Sequence, residues 1–252
     1  MPLFPDVPEA ESHNPSRSAA PHPEPLWTLL GTLYKAHPWH GVSPGDKAPA
    51  ELLCFVEVVP SDTVKYEIDK LTGYLRLDRP QKYSNVCPAL YGFVPQTLCA
   101  QRVAAFSSER AGVELKGDGD PLDICILTER TISHGNILVD CLPIGGFRMV
   151  DHGEADDKLI GVLKGDAAYG QCRSVADVSI ATLDRLRHYF LTYKQPPGMT
   201  TSNSTISHVY DRAEAFEVIS RSLADYHEQF GALETLLTEG LHFMRHNAGG
   251  ER

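Results

Sequence analysis

The segment KGDGDPLDICIL, residues 116–127, places the strictest constraint on the fold, because three aspartates stand directly before an apolar run that predicts a buried strand. Two like charges about 4 Å apart repel each other by roughly 4 kcal/mol at an effective dielectric constant near 20. Asp118, Asp120 and Asp123 must therefore point into water or be neutralised by a partner. The glycines and the proline between them also suit a polar turn, so the triplet alone favours a metal site and a turn about evenly.

A second acidic group follows a later strand-like segment. The stretch FRMVDHGEADDK ends this segment with Asp151 and adds Glu154, Asp156 and Asp157 before another apolar run. By itself this stretch fits a solvated hairpin loop. Two carboxylate groups at strand ends of one small sheet can converge on a shared cation, and oxygen ligands suit Mg²⁺ or Mn²⁺ rather than zinc. An EF-hand calcium loop is excluded, because Asp123 occupies the position where that loop requires glycine.

Charged residues also stand within predicted strands. Glu57 in LLCFVEVVP shares its strand face with apolar residues, and a lone carboxylate there is costly to bury unless it is paired. Lys65 and Glu67 share one face of VKYEIDK, and Arg79 ends YLRLDR. Taken one at a time, these last three residues are most simply interpreted as surface residues.

Short strand-like runs separated by glycine and proline extend from Glu51 to about Gly165, and helical periodicity dominates after residue 170. This order predicts an α+β fold with a small antiparallel sheet or barrel. Helices are predicted over 177–194 and 211–230, the second opened by an Asp211–Glu214 capping box. The predicted organisation is a disordered or surface-draped proline-rich tail (1–25), an N-terminal extension with a short helix (26–50), a main domain (51–230) and a C-terminal helical extension (231–252).

The charge balance excludes several classes of partner. The chain has 33 acidic and 23 basic residues, a formal net charge of −10, and no cluster of lysine and arginine of the kind that nucleic acids and anionic membranes require. No apolar run is long enough to cross a bilayer, and the N-terminus lacks the pattern of a secretory signal. The six cysteines are widely spaced and indicate reduced, mostly buried thiols of a cytoplasmic protein.

In order along the chain, seven segments resemble the soluble family I inorganic pyrophosphatases over about residues 51–230: FVEVVP, VKYEIDK, LRLDR, PALYGFVPQT, GDGDPLDICIL, RMVDHGEADDKL and HYFLTYK. The segment from Asp118 to Asp123 matches the family signature D-x-D-P-x-D. The resemblance implies that 51–230 is the catalytic domain, with a five-stranded OB-like antiparallel β-barrel and flanking helices. It also implies a cytoplasmic homo-oligomer that hydrolyses inorganic pyrophosphate to two orthophosphates.

The resemblance further implies roles for individual residues. Asp120 is expected to be the general base for a metal-bridged water, and Glu57 a supporting acid. The family often has a tyrosine where Cys87 stands, which affects one hydrogen bond at the rim and not the chemistry. The Mg²⁺ ligands, for which Mn²⁺ or Co²⁺ are possible substitutes, are expected to be Asp118, Asp123, Asp151, Asp156 and Glu67, and the substrate-binding groups Lys65, Arg79, Tyr91, Lys158, Tyr193 and Lys194.

Two other functions remain open from the residues. A related hydrolase would act on a larger phosphoanhydride such as a nucleotide, although no base-stacking pocket is evident in the sequence. A catalytically silent barrel would bind metal or a partner and retain these residues as scaffold. Orthophosphate release from pyrophosphate and from ATP, with Mg²⁺ and with EDTA, distinguishes the three.

Overall fold

The computed structural model describes residues 34–195 and 203–248, with side chains as far as residue 231 and at Glu239. The chain divides into two compact units, Met1–Ala36 and His37–Arg252. All the strands and helices described here belong to the second unit. The proline-rich tail predicted over 1–25 lies outside the described residues, as does the part of the predicted short helix before residue 34.

Five strands close into a barrel. They hydrogen-bond in the order β1, β4, β6, β9, β7 and back to β1, so the barrel has no free edge within this ring. The OB-like five-stranded barrel predicted from the sequence is thus confirmed. The barrel strands are β1 (Leu52–Val58), β4 (Leu90–Phe93), β6 (Asp123–Leu127), β7 (Ile137–Asp151) and β9 (Lys158–Leu163).

One pairing in the barrel departs from the predicted antiparallel arrangement. Four of the five pairs are antiparallel, but β6 and β9 are parallel, because β7 runs back between them in chain order. Their register sets Asp123 opposite Lys158. Parallel neighbours begin at the same end of a barrel, so this pairing brings the residues before both strands together at one rim.

The remaining strands extend the barrel or stand beside it. β2 (Val64–Ile68) and β3 (Leu75–Pro80) form a separate hairpin, and β10 (Ser204–Asp211) pairs with the long strand β7. β5 (Lys116–Gly117) pairs in parallel with β8 (Glu154–Ala155), which itself folds back on the end of β7. Strand β10 lies between the two predicted helices, and no strand was predicted there from the sequence.

In the part of the chain that the structure describes, three α-helices flank the barrel: α1 (Gln101–Ala111), α2 (Ile180–Thr192) and α3 (Arg212–Ala248). The helices α2 and α3 confirm the two predicted segments, whereas α1 lies in the region that was interpreted as β-rich. The boundary predicted between 230 and 231 falls inside α3, which continues through it. Within the described residues, no helix is both long and apolar enough to cross a membrane.

Among the described residues, the buried apolar side chains form three clusters. Val218 and Ile219 of α3 share the first with residues of β1, β4 and β6, Leu186 and Phe190 of α2 share the second with residues of β7 and β9, and the third surrounds Trp39. All six cysteines are free thiols with buried side chains, as the sequence predicted. Burial raises the pKa of the Cys87 thiol to about 12, so this residue is an unreactive part of the core.

A buried ion-pair network joins the barrel to α3. The Arg148 side chain on β7 is fully buried and donates to Asp157 Oδ2 at 2.6 Å and to Glu214 Oε1 at 2.8 Å. It also donates to the hydroxyl of Ser107 on α1. Glu214 was predicted to cap α3, but its carboxylate binds Arg148 and accepts from His208 at 3.3 Å. Burial raises the pKa of Asp157 to about 7, although the Arg148 charge opposes this rise.

Candidate active site

A polar cleft of about 230 Å³ opens at the rim where β6 and β9 begin. Its walls come from the β2–β3 hairpin, the turn before β6, the β7–β9 connection and the end of α2. All the predicted site residues except Arg79 line it: Glu57, Lys65, Glu67, Tyr91, Asp118, Asp120, Asp123, Asp151, Asp156, Lys158, Tyr193 and Lys194. The sequence prediction that two acidic groups converge is therefore correct.

The turn before β6 directs its aspartates by local hydrogen bonds. The Asp120 amide donates to Asp118 Oδ1 at 2.9 Å, an Asx-type contact that favours a tight turn. Gly119 has φ +73°, a backbone conformation that residues other than glycine rarely adopt. A Cβ on Gly117 would lie 2.3 Å from the Cys99 carbonyl oxygen, so glycine is required for the close approach of these two backbones. The triplet is thus a turn and also part of the cleft.

The segment 94–99 supports this turn from behind. The Val94 amide donates to the Leu122 carbonyl at 2.9 Å, and the Leu122 amide donates to Thr97 Oγ1 at 2.9 Å. Trp39 of the N-terminal extension in turn donates its indole N–H to the Thr97 carbonyl at 2.8 Å. The extension therefore contacts the segment that holds the aspartate turn in place.

Lysines neutralise the crowded carboxylates. Lys158 is 2% exposed and pairs with both Asp123 and Asp156, so its charge lies between two acids of different loops. Tyr91 donates its hydroxyl to Asp123 at 2.5 Å. The other acid–lysine pairs in the cleft are Asp151 with Lys194, Asp120 with Lys70, and Glu67 with Lys65.

The cleft shifts several proton equilibria. Burial, together with the nearby Asp156 charge, raises the pKa of Asp118 to about 8. Burial also raises the pKa of Asp156, against the opposing charge of Lys158. Burial lowers the pKa of Lys158, but the carboxylates of Asp123 and Asp156 outweigh it and hold this pKa well above its ordinary value. Raised pKa values of clustered carboxylates are typical of functional sites in which a cation would offset the negative charge.

Glu57 is buried at the back of the cleft. It is 5% exposed, and its Oε1 accepts the Ile68 amide of β2 at 2.7 Å. Burial raises its pKa to about 8, an effect that the hydrogen bond from Ile68 reduces. The hydrogen-bond partner that the sequence analysis required for this carboxylate is thus a backbone amide, and it fixes the β2–β3 hairpin to β1.

The structure changes the predicted site at a few positions. Arg79 lies outside the cleft lining, with its guanidinium 5.8 Å from the centre of the Tyr193 ring and paired with Asp78. Lys70 and Glu154 line the cleft but were not predicted as site residues. Lys70 stands three residues after Glu67 in the fragment VKYEIDK, and this proximity was the only sequence signal that Lys70 belongs to the site. Cys87 lies in the core beside α2.

The donor set of the cleft fits hard divalent cations. Carboxylates from several separate elements face one space, and oxygen ligands of this kind suit Mg²⁺. Within the residues that the structure describes, no three His, Cys, Asp or Glu side chains approach each other closely enough to hold an ion without rearrangement. The Lys158 ammonium stands between Asp123 and Asp156, so an ion shared by these two acids at that place would displace it.

Comparisons with known proteins agree on one family. The family model described as "Inorganic pyrophosphatase" matches residues 54–227. A Chlamydia caviae protein named inorganic pyrophosphatase is 45% identical over 199 residues, which cover 77% of this chain and 92% of that protein. A Chlamydia muridarum protein of the same name is 46% identical over 195 residues, covering 75% and 93%. The crystal structure of inorganic pyrophosphatase from Thermus thermophilus aligns with TM-score 0.63 and 29% identity, over 76% of this chain and 99% of that one.

Proposed function

This chain belongs to the inorganic pyrophosphatase family, and from this premise we propose that its cleft hydrolyses inorganic pyrophosphate to two orthophosphates in a Mg²⁺-dependent reaction. The enzyme is a hydrolase of phosphoanhydride bonds. The observation that carries the proposal is one cleft whose acids come from several elements and lie among the lysines at 65, 158 and 194. A site for a polyanion in so acidic a chain requires cations between the two.

The carboxylates would hold the ions. Mg²⁺, when bound, lowers the pKa of water and screens the charge of the phosphates. The ligand roles rest on position: each residue lines the cleft, and four of the five pair with a lysine there. The proposed ligands are Asp118, Asp123, Asp151, Asp156 and Glu67, with Mn²⁺ or Co²⁺ as possible substitutes.

Asp120 is the proposed general base for the attacking water. Its carboxylate stands at the tip of the turn and is half-exposed, so it can accept a proton from water in the cleft. Its ion-pair partner, Lys70, is exposed. Glu57 is proposed as a supporting acid, since its carboxylate accepts the Ile68 amide of the hairpin.

The remaining groups are proposed to bind the phosphates. Lys65, Lys158 and Lys194 offer ammonium groups on different walls, and Tyr91 and Tyr193 offer hydroxyl donors. Negative charge on the leaving phosphate is stabilised most by donors that are already oriented. Arg79 is proposed as a rim contact, since its guanidinium lies over Tyr193 beside the cleft.

One assay tests the function. Purified protein is mixed with pyrophosphate or ATP, with Mg²⁺ or with EDTA, and orthophosphate release is measured. We expect rapid release from pyrophosphate with Mg²⁺, little from ATP, and none with EDTA. Faster release from ATP than from pyrophosphate would indicate that the substrate is a nucleotide. No release from either compound would indicate a catalytically silent barrel.

Mg²⁺ is expected to stabilise the protein more at high pH. Folded Asp118 keeps its proton up to about pH 8, whereas its ordinary pKa is 3.8, so between these values the folded state binds the extra proton and stability without metal falls as pH rises. Mg²⁺ competes with that proton. At 100 times its Kd the ion adds about 2.7 kcal/mol, or roughly 5–10 °C in melting temperature for a chain of this size.

Thermal unfolding at pH 5.5 and pH 8, with and without Mg²⁺, measures this effect. NaCl of equal ionic strength is the control for screening. In Asp118→Asn the Mg²⁺ shift should be smaller and nearly independent of pH. An equal Mg²⁺ shift at both pH values in the wild type would show that the Asp118 proton does not compete with the metal.

We also propose a cytoplasmic homo-oligomer with no nucleic-acid or membrane partner. The free, buried thiols and the acidic charge support these assignments. The hairpin tip exposes Leu71 and Tyr74, which favours a protein contact over solvent. Light scattering after size-exclusion chromatography tests the assembly, and the mass of a single chain would contradict it.

A further inference from the structure

The helix α1 begins without a cap of its own. Its N-cap residue, Ala100, has no side chain that could accept a hydrogen bond, and no acidic residue stands in its first turn. Its second residue is Arg102, whose positive charge is unfavourable at the positive end of a helix dipole. The amides at this helix start therefore require an acceptor from elsewhere.

Asp225 of α3 supplies that acceptor. Its side chain is 3% exposed and accepts the amides of Ala100 at 3.1 Å, Arg102 at 3.0 Å and Val103 at 3.2 Å. It also pairs with the Arg102 guanidinium at 3.3 Å. Three backbone donors on one buried carboxylate fix the start of α1 tightly, because charged acceptors make the stronger hydrogen bonds.

The same short segment is bonded directly to the aspartate turn. The Cys99 amide donates to the Asp120 carbonyl at 2.8 Å, and the Gly119 amide donates to the Cys99 carbonyl at 3.0 Å. The Leu98 amide donates to the Ser222 carbonyl of α3 at 3.0 Å, one helical turn before Asp225. A continuous path of backbone contacts thus runs from α3 through residues 98–103 to the backbone of Asp120.

We propose that Asp225 is a positioning residue for Asp120: by anchoring the start of α1, it fixes the backbone that aims the Asp120 carboxylate into the cleft. This inference rests on the proposed function and adds to it a residue outside the cleft. Asp225 does not line the cleft and touches no residue of the proposed metal or phosphate sets. A displacement of about 1 Å in a reacting group can lower a rate by about 100-fold, so this anchoring matters for catalysis.

The test compares Asp225→Ala with a matched control, Asp166→Ala. Asp166 is also a buried aspartate, 8% exposed, whose carboxylate accepts the amides of Glu129, Ala168 and Tyr169 away from the cleft. Asp225→Ala should lower kcat for pyrophosphate by about 10- to 100-fold with little change in KM. Asp166→Ala should lower stability but leave kcat unchanged. Asp225→Asn, which keeps one acceptor oxygen, should show a smaller fall and serves if the alanine variant does not fold.

Two further readouts separate positioning from general destabilisation. In an Asp120→Asn background, Asp225→Ala should lower the residual rate hardly at all, since its effect acts through Asp120. Hydrogen exchange at the Cys99 and Gly119 amides should quicken in Asp225→Ala and not in Asp166→Ala, whatever the enzyme hydrolyses. Equal kcat in the two single variants, a full further loss in the Asp120→Asn background, or unchanged exchange at both amides would overturn the inference. An inactive wild type with the expected exchange would instead reject the proposed function.

Discussion

Asp120→Asn is expected to lower kcat for pyrophosphate hydrolysis by about 10²- to 10⁴-fold, the usual contribution of a general base. The asparagine side chain cannot accept the proton of the attacking water, while its size and its place in the turn are those of the aspartate that it replaces. The hydrogen bond from the Asp120 amide to Asp118 Oδ1 is made by the backbone, so the turn should persist. Steady-state orthophosphate release at saturating Mg²⁺ measures the loss, and circular dichroism confirms the fold.

Asp69→Asn is the matched control. Asp69 is a nearby aspartate on the β2–β3 hairpin whose Oδ1 accepts the amide of Thr72 at 2.9 Å and its hydroxyl at 2.8 Å, outside the cleft lining. Asparagine can accept the same hydrogen bonds, so this variant should retain the wild-type rate. A near wild-type kcat in Asp120→Asn would withdraw the base assignment, and an equal loss in both variants would indicate a general effect of removing acidic charge.

Arg148→Met is expected to destabilise the fold by about 3–5 kcal/mol, the cost of leaving a buried charge without its partner. Arg148 and Asp157 are both fully buried, and the arginine joins β7 to α1 and α3. Without the arginine, Asp157 would retain its proton to still higher pH. The folded variant would then bind a proton that the unfolded chain releases. Its loss of unfolding free energy relative to the wild type should therefore grow as pH rises through about 7. Urea unfolding at pH 5.5 and pH 8 measures both effects.

Two variants check the origin of this loss. Arg221→Met removes a more exposed arginine that pairs with Glu217 within α3, and should cost no more than about 1 kcal/mol. Arg148→Met combined with Asp157→Asn should be more stable than Arg148→Met alone, because no buried charge remains. A loss of under about 1 kcal/mol in Arg148→Met would contradict the assigned role of the network.

The acidic turn shows how far sequence reasoning reaches here. Its glycines and its proline predicted a turn, the second acidic group at 151–157 favoured a shared cation site, and the cleft brings Asp118, Asp123 and Asp156 together. Short apolar strands separated by turn residues predicted an α+β fold with a small sheet or barrel, and the five-stranded OB-like barrel was implied by the family resemblance. The roles of single residues came from the family resemblance, since strand charges such as Lys65 are ambiguous on their own.

Long-range contacts were not predictable from local patterns. Arg148 lies in an apolar strand, and only the tertiary packing shows that its partners are Asp157, directly before β9, and Glu214 of α3. The capping-box pattern for Glu214 was therefore outweighed by a tertiary ion pair. The helix α1 escaped prediction for a similar reason, since its cap, Asp225, lies more than 120 positions later in the chain.

The central claim is that acids of separate loops bind divalent cations in one cleft and thereby accept a polyanion. Anomalous diffraction from crystals loaded with Mn²⁺ tests it most directly. The expected result is manganese coordinated by the carboxylates of Asp118, Asp123 and Asp156, with the Lys158 ammonium withdrawn from the two acids that it contacts here. A preparation that hydrolyses pyrophosphate with Mn²⁺ but shows no manganese among these carboxylates, with Lys158 still between Asp123 and Asp156, would contradict it.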